Sequence, residues 1–102
     1  MRVQDVTSDV VQQLIKEDKD LVLVDVREQE ELEQGMIENA RHIPLGDIPH
    51  VLNELSQSKH YVMICRSGRR SMIAALFLDE KGYKASNLKG GMLEWNGEIF
   101  FK

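Results

Sequence analysis

The residue types best suited to chemistry lie in one stretch, Cys65-Arg66-Ser67-Gly68-Arg69-Arg70. It holds the only cysteine of the 102-residue chain and three arginines within five positions of it. A thiol reacts as its anion, and cysteines at helix N-termini or beside cationic side chains ionise at about 3.5–7.5 rather than the free value of roughly 8.5. Gly68 lets the backbone curl so that successive N–H groups point inward and cradle an anion. A lone cysteine is more often a small buried hydrophobe. Such a residue gains nothing from an adjoining glycine, serine and three arginines, so the stretch reads as an activated nucleophile.

The neighbouring patterns say what must hold it. Tyr61-Val62-Met63-Ile64 is an apolar run with two β-branched residues, too short for a helix and read as a buried strand. From Ser71 the period changes: Met72, Ile73, Leu76, Phe77 and Glu80 fit a helix with one apolar face, and Gly82 is its stop. Cys65 is therefore expected at the carboxyl end of a strand, facing a helix N-terminus with its unpaired N–H groups and positive dipole end. In open α/β sheets that crevice is where ligands bind.

Leu21-Val22-Leu23-Val24-Asp25-Val26 is continuous enough for the interior of a parallel sheet, and Asp25 within it requires a definite partner. Arg27 follows two residues on. The pair is read first as structural, with lining of the crevice near Cys65 as the alternative. Thr7 or Ser8 caps a first helix whose stripe is Val10, Val11, Leu14 and Ile15. Short strands are expected at 3–6, 40–43 and 84–88, and a short acidic helical segment at 28–34 ends at Gly35. Asp47 and Pro49 mark a helix entry, with Leu52 and Leu55 packed inward. Gly90-Gly91 implies a bend that side chains would obstruct, and Trp95 a core anchor. The apolar tail Ile99-Phe100-Phe101 either folds back onto the body or forms a contact surface.

Strands alternating with helices, with no repeat or linker, give one α/β domain over residues 1–102. Seventeen acidic against 13 basic side chains leave a net charge of −4, which disfavours nucleic acid and anionic membranes. Three arginines clustered in an acidic chain instead suggest a local site for a small anion. A single cysteine allows no internal disulfide, so any redox cycle needs an outside thiol. Scattered His42, His50 and His60 offer no metal-ligand spacing, and neither metal nor cofactor is expected. With no apolar leader or membrane-length run, a reducing cytoplasm is the expected location.

The Cys65-to-Arg70 loop resembles the CxxGxR active-site loop of rhodanese-like sulfurtransferases. Asp25-Val26-Arg27, Glu31-Leu32, Gly35-x-Ile37, Ala40 and Ile43-Pro44 are similar to that family's upstream segment, and Gly90-Gly91-Met92…Trp95 to its C-terminal GG…W signature. Met36, Asn39 and His42 depart from the usual His, Gly and Asn. Asn tolerates the left-handed conformation for which Gly is chosen, so Asn39 is the mildest change.

The resemblance implies a single-domain rhodanese-like fold: a mostly parallel sheet of about five strands with helices on both faces. It also implies transfer of a sulfane sulfur, from thiosulfate or a small persulfide to a thiophilic acceptor, through a Cys65 persulfide. Arg66, Ser67, Gly68, Arg69 and Arg70 would bind the donor, with Arg66 and Arg69 foremost. Arg70 could instead pin the loop through a carboxylate, because a cation near a helix N-terminus opposes the dipole. A rhodanese-like module relaying sulfur to a protein partner is the alternative. A cysteine phosphatase is a weaker one: its arginine lies six positions after the cysteine, where this chain has Ser71, and the shorter Cys-x4-Arg ring suits one extra sulfur better than a phosphoryl group.

Overall fold

The computed structural model describes residues 3–101. Among them, β1 (Gln4–Val6), β2 (Leu21–Asp25), β3 (Arg41–His42), β4 (His60–Ile64) and β5 (Lys84–Leu88) form one sheet in the spatial order β1-β5-β4-β2-β3. Every pairing in it is parallel. The α-helices are α1 (Ser8–Glu17), α2 (Arg69–Glu80) and the short α3 (Gly91–Glu94), with 3-10 turns at Gln29–Gln34, Leu45–His50 and Leu52–Glu54. The parallel α/β architecture expected from the sequence is the one observed.

Alternation along the strands sorts side chains between two cores. Val22, Val24, Tyr61, Met63 and Cys65 face α2 and the 45–55 turns; Leu21, Leu23, Val62 and Ile64 face α1 and α3. Because both faces are covered, β2 and β4 read as continuous apolar runs over 21–24 and 61–64. The crossover from β2 runs toward one edge of the sheet and that from β4, through α2, toward the other. The direction reverses between β2 and β4, and Cys65 lies at the carboxyl end of that gap, where such sheets open a crevice. No helix among the described residues is long and apolar enough to cross a membrane.

The helix ends follow the sequence. Thr7 accepts the Val10 N–H through its side chain at 3.3 Å, and Gly82, at φ 92°, closes α2 with Tyr83 N–H on Leu78 O at 2.9 Å. The helix faces need correction. The buried side of α2 is Ser71, Ala74, Ala75 and Leu78, whereas Ile73 is 59% and Leu76 37% exposed. Small residues at i, i+3, i+4 bring the helix axis close to the sheet, and Met72 and Phe77 flank the contact. In α1, Val11 is buried and Leu14 half-buried, but Val10 and Ile15 stay exposed. The tail does return to the body: Phe100 and Met36 exchange backbone hydrogen bonds of 2.9 Å. Its side chains nonetheless remain exposed, Phe101 by 66%.

Candidate active site

The loop after β4 is shaped from outside. Met92 N–H donates to Cys65 O at 2.9 Å, and Leu93 N–H to Arg66 O at 3.0 Å, both from the first turn of α3. In a planar trans peptide the N–H points opposite to its C=O. Drawing these two carbonyls outward therefore turns the amides of Arg66 and Ser67 inward. The α3 turn comes this close only because residue 91 is glycine: a Cβ there would sit 2.5 Å from both Cys65 O and Arg66 O, at φ +57°. The obstruction expected of Gly90-Gly91 is thus the backbone of Cys65 and Arg66. Gly91→Ala should cost roughly 2–4 kcal/mol, combining a left-handed residue with a backbone clash. A urea titration showing less than about 1 kcal/mol of loss would contradict this packing.

Inside the turn, Gly68 N–H donates to Cys65 Sγ at 3.0 Å and Ser71 Oγ–H at 3.2 Å. Gly68 reaches this pose at φ 97°, serving as the left-handed N-cap of α2. Cys65 has no exposed surface, and that burial, the largest single influence, pushes its thiol up. The Ser71 hydroxyl and the N–H groups of Ser71, Gly68 and Ser67 outweigh it, leaving the thiol below its ordinary value. The direction is the one expected from the sequence. Hydroxyl and amide donors lead, with a Coulombic attraction from the Arg70 guanidinium beside them, and Ser71 was not among the expected site residues. A hydroxyl in the first turn of the helix after the cysteine was its one signal in the sequence.

The arginines separate into two roles. Arg70 pins the loop, donating from Nη1 and Nη2 to Glu31 Oε1 and Oε2 at 2.6 and 2.8 Å. Glu31 in turn caps the 29–34 turn by accepting the Glu28 N–H at 2.9 Å. The Arg70 guanidinium holds the Glu31 carboxyl far below its ordinary 4.5, at about 2, with desolvation opposing. A carboxyl depressed in the folded state stabilises above its unfolded value and loses that contribution as pH falls through its folded value. The melting-temperature gap between the native protein and Glu31→Gln should be constant above pH 4.5 and close as pH approaches about 2. For a half-exposed pair it should correspond to about 1 kcal/mol at most. A gap unchanged at pH 2 would rule the ion pair out.

Arg66 and Arg69 are exposed and face different clefts. One, of about 240 Å³, is lined by Arg66, Arg27, Met92, Leu93, Trp95 and Ile99. The other, of about 480 Å³, is lined by Ser67, Gly68, Arg69, Asn87 and Lys89. A further cleft of about 380 Å³, with His60 and Ser86, opens at the opposite end of β4 and β5, away from Cys65. Trp95 both packs on the α1-side core and borders the first cleft.

Asp25 and Arg27 form a buried pair, 2.8 Å between Arg27 Nη2 and Asp25 Oδ2. Asp25 also accepts the Arg27 N–H at 3.1 Å, and Arg27 donates to Gly35 O at 2.9 Å. The structural role favoured from the sequence is what these bonds describe, although Arg27 also touches the cleft. His42 Nε2 donates to Arg27 O at 2.7 Å, securing the same turn, and Asn39 takes the left-handed φ of 67° expected of it.

Comparison with known proteins agrees with this architecture. A family model for the rhodanese-like domain matches residues 7–98. The chain is 46% identical over 98 residues to YtwF of Bacillus subtilis, provisionally named a sulfurtransferase, covering 96% of this chain and 95% of that protein. It is 36% identical over 94 residues to a sulfurtransferase of Allochromatium vinosum, covering 91% and 88%. A rhodanese-like domain protein from Staphylococcus aureus superposes with a TM-score of 0.89 at 35% identity, covering 98% of this chain and 99% of that one.

Proposed function

The chain belongs to the rhodanese-like domain family, and from that premise we propose that it moves a sulfane sulfur from a small anionic donor to a thiophilic acceptor through a persulfide on Cys65. The observation that carries this reading is the set of donors converging on Cys65 Sγ from Gly68 and Ser71, inside a turn whose carbonyls are drawn outward.

In this reading the thiol, held below its ordinary ionisation range, supplies more thiolate at a given pH than a free cysteine would. Sγ is fully covered while Arg66 and Ser67, which follow it in the turn, are exposed, so their side is the donor's approach. The thiolate attacks the outer sulfur of thiosulfate, the S–S bond breaks, and sulfite leaves with its electron pair. The terminal sulfur of the resulting Cys65 persulfide is anionic, and the inward amides and the α2 dipole stabilise it without reorganising. Arg66 and Arg69, unlike Arg70, are free of any described carboxylate partner and attract the donor. An acceptor such as cyanide, sulfite or a thiol then attacks the terminal sulfur and releases the Cys65 thiolate. No cofactor takes part in this cycle.

Double-displacement kinetics test it: reciprocal plots at several acceptor concentrations should run parallel, and the rate should rise with pH through a midpoint below the ordinary thiol value of 9.0. Converging lines with no Cys65 dependence, or Cys65-dependent hydrolysis of a phosphate ester, would overturn the reading. A protein acceptor is favoured by one observation, the exposed Leu93 and Ile99 on the rim of the Arg66 cleft. Transfer to a carrier protein but to no small thiol or cyanide would establish that relay form.

A further inference from the structure

Two carbonyls of the loop are held outward by α3, and a third, Gly68 O, is held by a side chain from β5. Asn87 Nδ2 donates to Gly68 O at 3.1 Å and to Asp5 Oδ1 on β1 at 2.8 Å. Gly68 O also accepts the Met72 N–H at 3.3 Å, the first turn of α2, so both of its lone pairs are engaged. Asn87 is only 2% exposed, and its Oδ1 has no hydrogen-bond partner among the described residues. Leaving a buried acceptor unpaired is costly, and the amide is kept in that orientation by its two donor bonds. The side chain is therefore placed by what its N–H groups hold.

We propose that Asn87 is a positioning residue for the Cys65 thiolate: by gripping the Gly68 carbonyl it locks the left-handed turn that aims Gly68 N–H at Sγ. The geometry is tight on every side. Gly68 stands at φ +97°, where a Cβ would lie 3.2 Å from Gly90 N and 3.6 Å from Asn87 Nδ2. By peptide planarity, holding Gly68 O also fixes the direction of the Arg69 N–H. With Met92 and Leu93 on one side and Asn87 on the other, the ring of amides is clamped at both ends. Asp5, on the exposed edge strand, anchors the clamp by orienting the Asn87 amide.

The inference takes Cys65 to be the reactive thiol of the proposed function, but its test needs no sulfur donor. Iodoacetamide alkylation of Cys65, followed by intact mass across a pH series, reads thiol ionisation directly. Asn87→Leu, uncharged and similar in volume, should raise the midpoint and slow alkylation at pH values below the native midpoint by about 3- to 10-fold, as a midpoint higher by roughly 0.5–1 requires. Asn87→Ser, which keeps one donor, should recover part of that loss. Asp5→Ala should shift the midpoint upward by less. The charged groups around the loop are Asp5, Arg66, Arg69, Lys89, Glu94 beside Gly90, the buried Asp25–Arg27 pair, and the Arg70–Glu31 pair with Glu28 near it. On charge alone, removing Asp5 would lower the midpoint, so an upward shift identifies positioning. An unchanged midpoint in folded Asn87→Leu overturns the proposal. If that variant does not fold, an unchanged or lowered midpoint in Asp5→Ala overturns it. Failure of sulfur transfer in the native protein would defeat the proposed function while leaving this result readable.

Discussion

Cys65→Ser is expected to lower transfer from thiosulfate to cyanide by about a thousandfold or more, with the fold intact. Loss of a nucleophile removes the covalent route altogether, and what remains is binding and orientation. Serine fits the same pocket and can accept the same donors from Gly68 and Ser71. Its hydroxyl does not ionise near neutrality, so the amide ring has no anion to stabilise. The expected signature is collapse of transfer at a melting temperature within a few degrees of the native one. Residual transfer at a tenth of the native rate would mean that Cys65 does not carry the sulfur.

Asp25→Ala should have the largest effect on stability. Arg27, 2% exposed, would keep its charge in the interior with its carboxylate gone. Breaking a buried pair in this way typically costs about 3–5 kcal/mol, against a total of roughly 5–15 kcal/mol for a domain. The carbonyls of Gly35 and Glu31 remain as partners for the guanidinium, which argues for the lower half of that range. Asp25→Leu with Arg27→Met should recover part of the loss, because removing both charges also removes their desolvation. Urea unfolding of the variants decides it. A single Asp25→Ala change worth under 1 kcal/mol would show the pair to be dispensable.

Much of the site could be read from the residues because its parts are local. Gly68 lies three positions from the thiol whose turn it permits, and Gly82 closes the helix it follows. Asn39 adopts the left-handed pose that its type allows. Arg70 at a helix start demanded a carboxylate, and Glu31 supplies one from 39 residues upstream. The contacts the sequence does not announce depend on register across the sheet. Asn87 meets Gly68 only because β5 lies beside β4, and Asp5 meets Asn87 only because β1 pairs with β5 at that position. A strand reading that treats 84–88 as a short closing element contains no hint of either bond. The face of α2 differs from the expected one for another reason. Large apolar residues at 72, 73, 76 and 77 attract attention, whereas a helix lying close on a sheet is selected for small ones, here Ser71, Ala74 and Ala75. In α1 the same preference for bulk places Val10 and Ile15 inward when both are exposed.

Intact-mass spectrometry of the native protein after thiosulfate treatment addresses the central claim most directly. A gain of one sulfur atom, located on Cys65, removed by cyanide and missing in Cys65→Ser, is the expected result. An unmodified mass under conditions where sulfur transfer proceeds, or an added sulfur that persists in Cys65→Ser, would contradict the account.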